Sequence, residues 1–333
     1  MLKKFLILNL ILFFIIANLI SCSKNNILKE YRLLKGHTTD IWDISFSPEG
    51  TYIASGSADK TVKIWDIEKG KEVFTLTGHK NVVNSVSYNK TGDLLVSGSF
   101  DGFAKIWDIK TGLELQTLSG HEIGINKVIF SPNNKFIASA SSDRTIKFWD
   151  IKTAKYFEDI QDQKTVKVRT KTLDFSSDGN NLLSADTSGK IKIWDVMNGK
   201  LLKEIDTKKI DDGASVINQA IYSPDGLSFA TCGTDQTIRI WDAKKLEQIK
   251  MLDGHNRSVN SISYSPNGKM IASISSDKTL KLWDIKTGKE IFSLNPNIGN
   301  LTKVTFNYNG SFIAVCGNEP FIKIWKTSDF VFK

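Results

Sequence analysis

The chain has 333 residues, 41% of them hydrophobic and 24% charged, with 44 Lys and Arg against 36 Asp and Glu for a formal net charge of +8. This balance excludes a disordered polyelectrolyte and leaves room for one large folded domain or two ordinary ones.

The first 21 residues stand apart from the rest. Lys3 and Lys4 precede an apolar run from Phe5 to Ile20, interrupted by Asn9 and Asn18, which is the layout of a secretory signal peptide. The run falls short of the roughly 20 apolar residues that span a bilayer, so an uncleaved anchor is the weaker alternative. It ends in Leu19, Ile20, Ser21 and Cys22, a sequence that resembles the bacterial lipobox. That resemblance implies cleavage before Cys22 and diacylglycerol on its thiol. Residues 1–21 then form a lipoprotein signal peptide and 22–29 a lipid-anchored linker.

Beyond the linker the chain is periodic. Seven tryptophans sit in near-identical contexts: VKIWD at Trp65, AKIWD at Trp107, IKFWD at Trp149, IKIWD at Trp194, IRIWD at Trp241, LKLWD at Trp283 and IKIWK at Trp325. They are spaced 42, 42, 45, 47, 42 and 42 residues apart. A period near 42 marks a propeller array with four strands per unit. A turn rich in Pro, Asn, Asp or Gly begins 18 residues before each Trp, from SPEG in the first unit to NYNG in the last. The extra length of units four and five therefore falls between one Trp and the following turn, outside the inner hairpins. In GHTTDIWD the Gly-His pair is in register, but Trp42 stands only 23 residues before Trp65 and is not a repeat mark.

Taken together, these marks resemble the WD-repeat β-propeller family over about Glu30 to Lys326. The resemblance implies an all-β fold, a seven-bladed propeller of four-stranded antiparallel blades at 30–326, followed by a C-terminal tail at 327–333. Units four, five and seven depart from the pattern by lacking Gly-His, and Lys326 replaces the final Asp. Each unit supplies three inner strands, but an outer strand follows only six of the tryptophans. The segment EYRLLKGH carries the missing pattern, so Tyr31 to Leu34 is expected to pair with the last blade and leave no free edge.

Four units contain a Ser, a His and an Asp in the same register: His37, Ser55, Asp59 with Trp65; His79, Ser97, Asp101 with Trp107; His121, Ser139, Asp143 with Trp149; and His255, Ser273, Asp277 with Trp283. One such set invites a hydrolase reading. Four copies around a ring do not resemble one active site, and the family resemblance implies buried structural hydrogen-bond networks instead. No catalytic residue is assigned and the protein is expected not to be an enzyme. No His and Cys set has zinc spacing, no Asp-rich loop suggests calcium and no Gly loop suits a phosphate, so neither metal nor cofactor is expected.

Cys232 and Cys316 occupy equivalent positions two units apart, too distant around a ring for a disulfide, and read as small buried residues. A cation stands two residues before every repeat Trp, where a long stem is expected to cover apolar surface and expose its charge. This even spread argues against nucleic-acid binding. One basic cluster, Lys164, Lys167, Arg169 and Lys171, breaks it and suits an acidic partner, or a solvated loop.

The functional expectation rests on surface. In this family the face bearing the outer-to-inner strand connections is the usual partner-binding face. Five residues past each His register position stand Trp42, Asn84, Asn126, Lys171, Asn218, Asn260 and Thr302, and Phe100 lies on the blade next to Trp42. Candidate partner-binding residues are therefore Trp42, Asn84, Phe100, Asn126, Arg169, Lys171, Asn218 and Asn260. The expected protein is an exported, lipid-anchored scaffold of the bacterial cell envelope, a monomeric ring that binds protein partners on the face away from the membrane. The alternative is a sugar- or peptide-binding protein, or an enzyme, using the channel mouth and its asparagine amides.

Overall fold

The computed structural model describes residues 28–161, 169–209 and 216–330. The expected signal peptide, Cys22 and most of the linker lie outside the described residues, as do Lys164 and Lys167 of the basic cluster. The described residues form seven four-stranded antiparallel sheets, the blades of a β-propeller. In the first blade, strands a to d from the axis outward are Ile41–Phe46, Tyr52–Ser57, Val62–Asp66 and Lys71–Leu76. Among the described residues no helix is long and apolar enough to cross a membrane.

Local chemistry explains the blade. Strand b has both faces covered by neighbouring blades, so five of the six positions of YIASGS are buried. Small residues are required there: a Cβ on Gly56 would come within 2.8 Å of Val83 in the next blade, and one on Gly98 within 2.7 Å of Ile125. Strand d faces solvent on its outer side, and KEVFTL buries only its final Leu76. The SPEG turn closes with Gly50 at φ +78, a left-handed conformation that costs glycine nothing. In the SPNN turn of the third blade Asn134 takes the same role at φ 57, as asparagine tolerates.

Among the described residues there is no single core. Seven apolar clusters lie one at each junction between blades; that between blades one and two joins Ile64 and Leu76 to Val83, Val86 and Trp107. Burial of apolar surface therefore holds blade to blade, at roughly 25 cal/mol per Å² removed from water. The ring closes where the sequence pattern places it. The N-terminal strand Arg32–Lys35 pairs antiparallel with Glu319–Lys326, Arg32 opposite Ile324 and Lys35 opposite Phe321, and the Tyr31 N–H donates to the Ile324 carbonyl at 2.7 Å. The longer connections of units four and five fall between Gln161 and Thr170 and between Asp206 and Ile217, outside the inner hairpins.

Of the C-terminal tail, the described residues Thr327 to Phe330 pack on the ring: Thr327 donates its N–H to the Ser311 carbonyl at 2.9 Å, and the buried Phe330 ring meets Phe292 edge to face at 4.8 Å. One expectation needs correction. Three of the cations before the repeat tryptophans do not extend their charge into solvent. Lys63 is 8% exposed and ion-paired to Glu72 at 2.7 Å, Lys105 pairs with Glu114 at 2.8 Å and Lys281 with Glu290 at 2.6 Å. In these three blades an outer-strand glutamate neutralises the ammonium head, since an unpaired ammonium there would carry a large desolvation cost, whereas Arg239 pairs with Asp235 instead.

Candidate functional site: the channel mouth

The four Ser-His-Asp sets come together in space. In the first blade the Trp65 indole N–H donates to Ser55 Oγ at 2.8 Å, Ser55 Oγ lies 2.7 Å from His37 Nε2, and His37 Nδ1 lies 2.7 Å from Asp59 Oδ2. The indole can only donate, so Ser55 Oγ accepts from it and links the tryptophan to the imidazole and, through the imidazole, to the carboxylate. The other three sets repeat this chain, with Trp107, Trp149 and Trp283 donating at 2.7 to 2.8 Å. All four serines are 0% exposed, so each hydroxyl is sealed inside its blade with a lone pair already held by the indole. Burial alone would raise the carboxylic pKa values, but the histidine bond and backbone N–H donors outweigh it and hold Asp101 at about 2. Asp277 likewise falls to about 2, through its bonds to Thr279, Asn256 and His255.

The blades without Gly-His satisfy their indoles differently. Trp194 and Trp241 donate to Ser184 and Thr231 at 2.8 and 2.9 Å, and Asp235 is held by Arg239 at 3.1 Å in place of a histidine. Trp325 donates to the carbonyl of Leu28.

At the channel mouth the backbone itself selects the side chains. Every strand a carries a one-residue bulge against strand b, and the register steps from Ile41 opposite Ser57 to Asp43 opposite Gly56. The bulged residues are Trp42, Asn84, Asn126, Lys171, Asn218, Asn260 and Thr302. A bulge leaves its residue unpaired and re-aims its side chain. The asparagine amides do not form an open ring of donors. Asn84 Nδ2 donates to the Asn126 carbonyl at 2.8 Å, Asn126 to Thr170 at 2.9 Å, Asn218 to Val259 at 2.9 Å and Asn260 to Leu301 at 2.8 Å. Thr302 Oγ1 completes the pattern on Ile41 at 2.7 Å. Each fastens its strand a to that of the following blade. Among the described residues Trp42 makes no such bond, and Lys171 reaches only the Asn218 side-chain oxygen, at 2.7 Å.

One residue deeper stands a second ring, which the sequence reading passed over: Asp43, Ser85, Lys127, Thr172, Gln219, Ser261 and Lys303. Five of these accept an N–H from the next blade. Asp43 takes Val86 at 3.1 Å, Ser85 takes Val128 at 3.2 Å, Thr172 takes Ala220 at 3.3 Å, Gln219 takes Ile262 at 2.9 Å and Ser261 takes Val304 at 3.3 Å. Lys127 and Lys303 cannot accept. Lys127 instead spans to Asp43 at 2.8 Å. Burial would raise the Asp43 carboxyl, but the charges of Lys127 and Lys303 outweigh it and bring it below the usual range. Deeper still, burial pushes Asp174 up to about 6, against the lowering effect of the Tyr222 N–H that it accepts.

The two rings enclose a cavity of about 130 Å³, with Trp42, Lys127, Lys171 and Lys303 in its wall. Trp42 and Phe100 are each 40% exposed, and Phe100 packs on Gly124, where a Cβ would meet it at 2.8 Å. Ile123, 54% exposed beside Gly124, is a further apolar surface residue that the sequence reading missed. Arg169 is exposed as well. Cys232 and Cys316 are free and buried, and burial pushes both thiols up to about 12. A larger cleft of about 620 Å³ opens elsewhere, between blades four and five among the SPEG-type turns, lined by Asp178, Tyr222, Asp225 and Leu227.

Seven four-stranded blades, a closing N-terminal strand and the Trp-Ser-His-Asp chains define a seven-bladed propeller of repeated units. The chain belongs to the WD40 family: the family profile "WD domain, G-beta repeat" matches residues 28–66, 70–108, 112–150, 164–195, 206–242, 246–284 and 288–326. Curated relatives match over single-repeat lengths. GID complex subunit 7 of Schizosaccharomyces pombe is 46% identical over 48 residues, covering 14% of this chain and 10% of the relative. The pre-mRNA-splicing factor PRP46 of Yarrowia lipolytica is 46% identical over 46 residues, again 14% and 10%. The ribosome biogenesis protein BOP1 homolog of Drosophila virilis is 47% identical over 47 residues, 14% and 6%. The matched segment thus spans a tenth or less of each of these relatives.

Proposed function

We propose that this protein is a non-catalytic scaffold, exported and lipid-anchored through Cys22 to a bacterial membrane, that binds protein partners on the face of the ring bearing Trp42 and Phe100. The observation that carries this reading is the pair of half-exposed aromatics on a rigid ring, because desolvated aromatic anchors dominate interface energies. The relatives, named as a complex subunit, a splicing factor and a ribosome biogenesis protein, support a role in protein assemblies. Burial of all four serine hydroxyls favours structure over hydrolysis. The small-ligand alternative is less well supported, since the amide nitrogens are engaged and about 130 Å³ is below the roughly 300 to 1,000 Å³ of typical ligand pockets.

The anchor fits this face. Tyr31 stacks on Phe312 at 5.2 Å, beside the NYNG turn, so the chain joins the ring from the side of the SPEG-type turns. Ser23 to Glu30 reach at most about 28 Å. Lipid on Cys22 therefore holds those turns toward the membrane and directs Trp42, Phe100 and Lys171 outward. The test is affinity capture from membranes with the full chain and with a Trp42→Ala, Phe100→Ala variant of equal thermal stability. A partner captured reproducibly by the first and lost by the second is the expected result, and equal capture by both overturns the assignment of the face.

A further inference from the structure

We propose that the channel mouth is a carboxylate-binding site, which receives an acidic side chain from a peptide segment of a protein partner. The inference rests on the reading of this face as a partner-binding platform and specifies the chemistry of what enters it. It begins with the positions that break the inter-blade hydrogen bonding. Trp42 and Lys171 do so in the upper ring and Lys127 and Lys303 in the lower one, and all four line the same cavity. An ammonium has no acceptor for the N–H of a neighbouring blade, so lysines at two of seven equivalent positions forgo a bond that five counterparts make. Departures from local consistency of this kind concentrate at functional sites.

Charge gives the cavity its sign. Three lysines face one acid, Asp43, in its wall, and Asp43 is already ion-paired to Lys127 at 2.8 Å. Among the described residues Lys171 bonds only to the neutral Asn218 amide, and no carboxylate lies within ion-pair distance of Lys303. Burial disfavours the charged form of Lys303, and the neighbouring Lys127 adds to this. An arriving carboxylate relieves both effects, because opposite charge within a few ångströms restores the ammonium. The volume, about 130 Å³, equals that of about four waters and suits a side-chain carboxylate, with Trp42 at the rim to cover the peptide that carries it.

Trp42 supplies the readout, since the other seven tryptophans are at most 6% exposed. Acrylamide quenching of the full-length protein is measured during titration with an acetylated, amidated tri-glutamate peptide, its tri-glutamine counterpart, and free glutarate. Saturable protection by tri-glutamate and none by tri-glutamine is expected. Lys303→Gln should weaken it about tenfold and Lys303→Arg much less, while Asp43→Asn, which removes the competing carboxylate and keeps an acceptor for Val86, should tighten it about threefold. Tightening is not a symptom of misfolding. Protection by tri-glutamine equal to that by tri-glutamate, no protection by either, stronger protection by glutarate than by the peptide, or indifference to both substitutions overturns the proposal. Capture of a protein partner that depends on Trp42 and Phe100 but not on Lys303 overturns it while leaving the platform standing. Failure of that capture overturns the platform.

Discussion

The Trp325 indole donates to the Leu28 carbonyl at 3.3 Å, joining residues 297 positions apart where the first described segment completes the last blade. The ring is thus closed by its N-terminus. Deleting Glu30 to Leu34 removes the outer strand, the buried Leu34 and part of the connection to Leu28, and exposes a sheet edge. Deleting Ser328 to Lys333 removes the packed Phe330, at a cost of about 3 to 5 kcal/mol by analogy with Phe→Ala in cores. The first deletion should lower the melting temperature further than the second. Equal melting temperatures would contradict closure by the N-terminal strand.

His79→Ala leaves Ser97 and Asp101 without their shared partner while Trp107 keeps its bond to Ser97. We expect a loss of about 1 to 3 kcal/mol in urea unfolding, with partner binding by the folded fraction retained. A stable, well-folded variant that had lost a hydrolytic activity of the wild type would instead restore the catalytic reading.

Acid should unfold the protein through the same chains. Asp101 titrates at about 2 in the folded state, below the unfolded value near 3.9, so its contribution is present above about pH 4 and disappears as pH falls through about 2. Asp101→Asn should therefore lower the urea midpoint at neutral pH, with the gap from wild type closing as the pH is brought from about 4 to about 2. A gap that is constant with pH would show that the carboxylate charge is irrelevant.

Trp42→Ala combined with Phe100→Ala should weaken partner affinity by about 2 kcal/mol or more. Glu49→Ala with Asp225→Ala, among the turns of the opposite face, should change it little. A strong loss confined to the Glu49 and Asp225 pair would reverse the proposed orientation.

Cys22→Ala should abolish incorporation of labelled lipid and block normal processing. A mature wild-type chain that begins elsewhere and carries no lipid sinks the anchoring proposal.

Much of the architecture was legible because it recurs at a period near 42. The number of blades, the turns, the extra outer strand and the Ser, His, Asp and Trp columns are each repeated along the chain, and repetition separates signal from accident. The same comparison marks out Trp42 by its register alone, and the structure adds its bulge and its exposure. Tertiary structure decided what the columns do with one another. The asparagines at the mouth bind the next blade and not an open channel, Lys63, Lys105 and Lys281 meet outer-strand glutamates, and Phe330 packs on Phe292. Lys127 reaches Asp43 across 84 residues of sequence, and Lys171 and Lys303 arrive at the same cavity from blades four and seven. A local pattern specifies which way a strand alternates, but the residues that meet at an axis come from every turn of the ring, so their partners follow only from its closure.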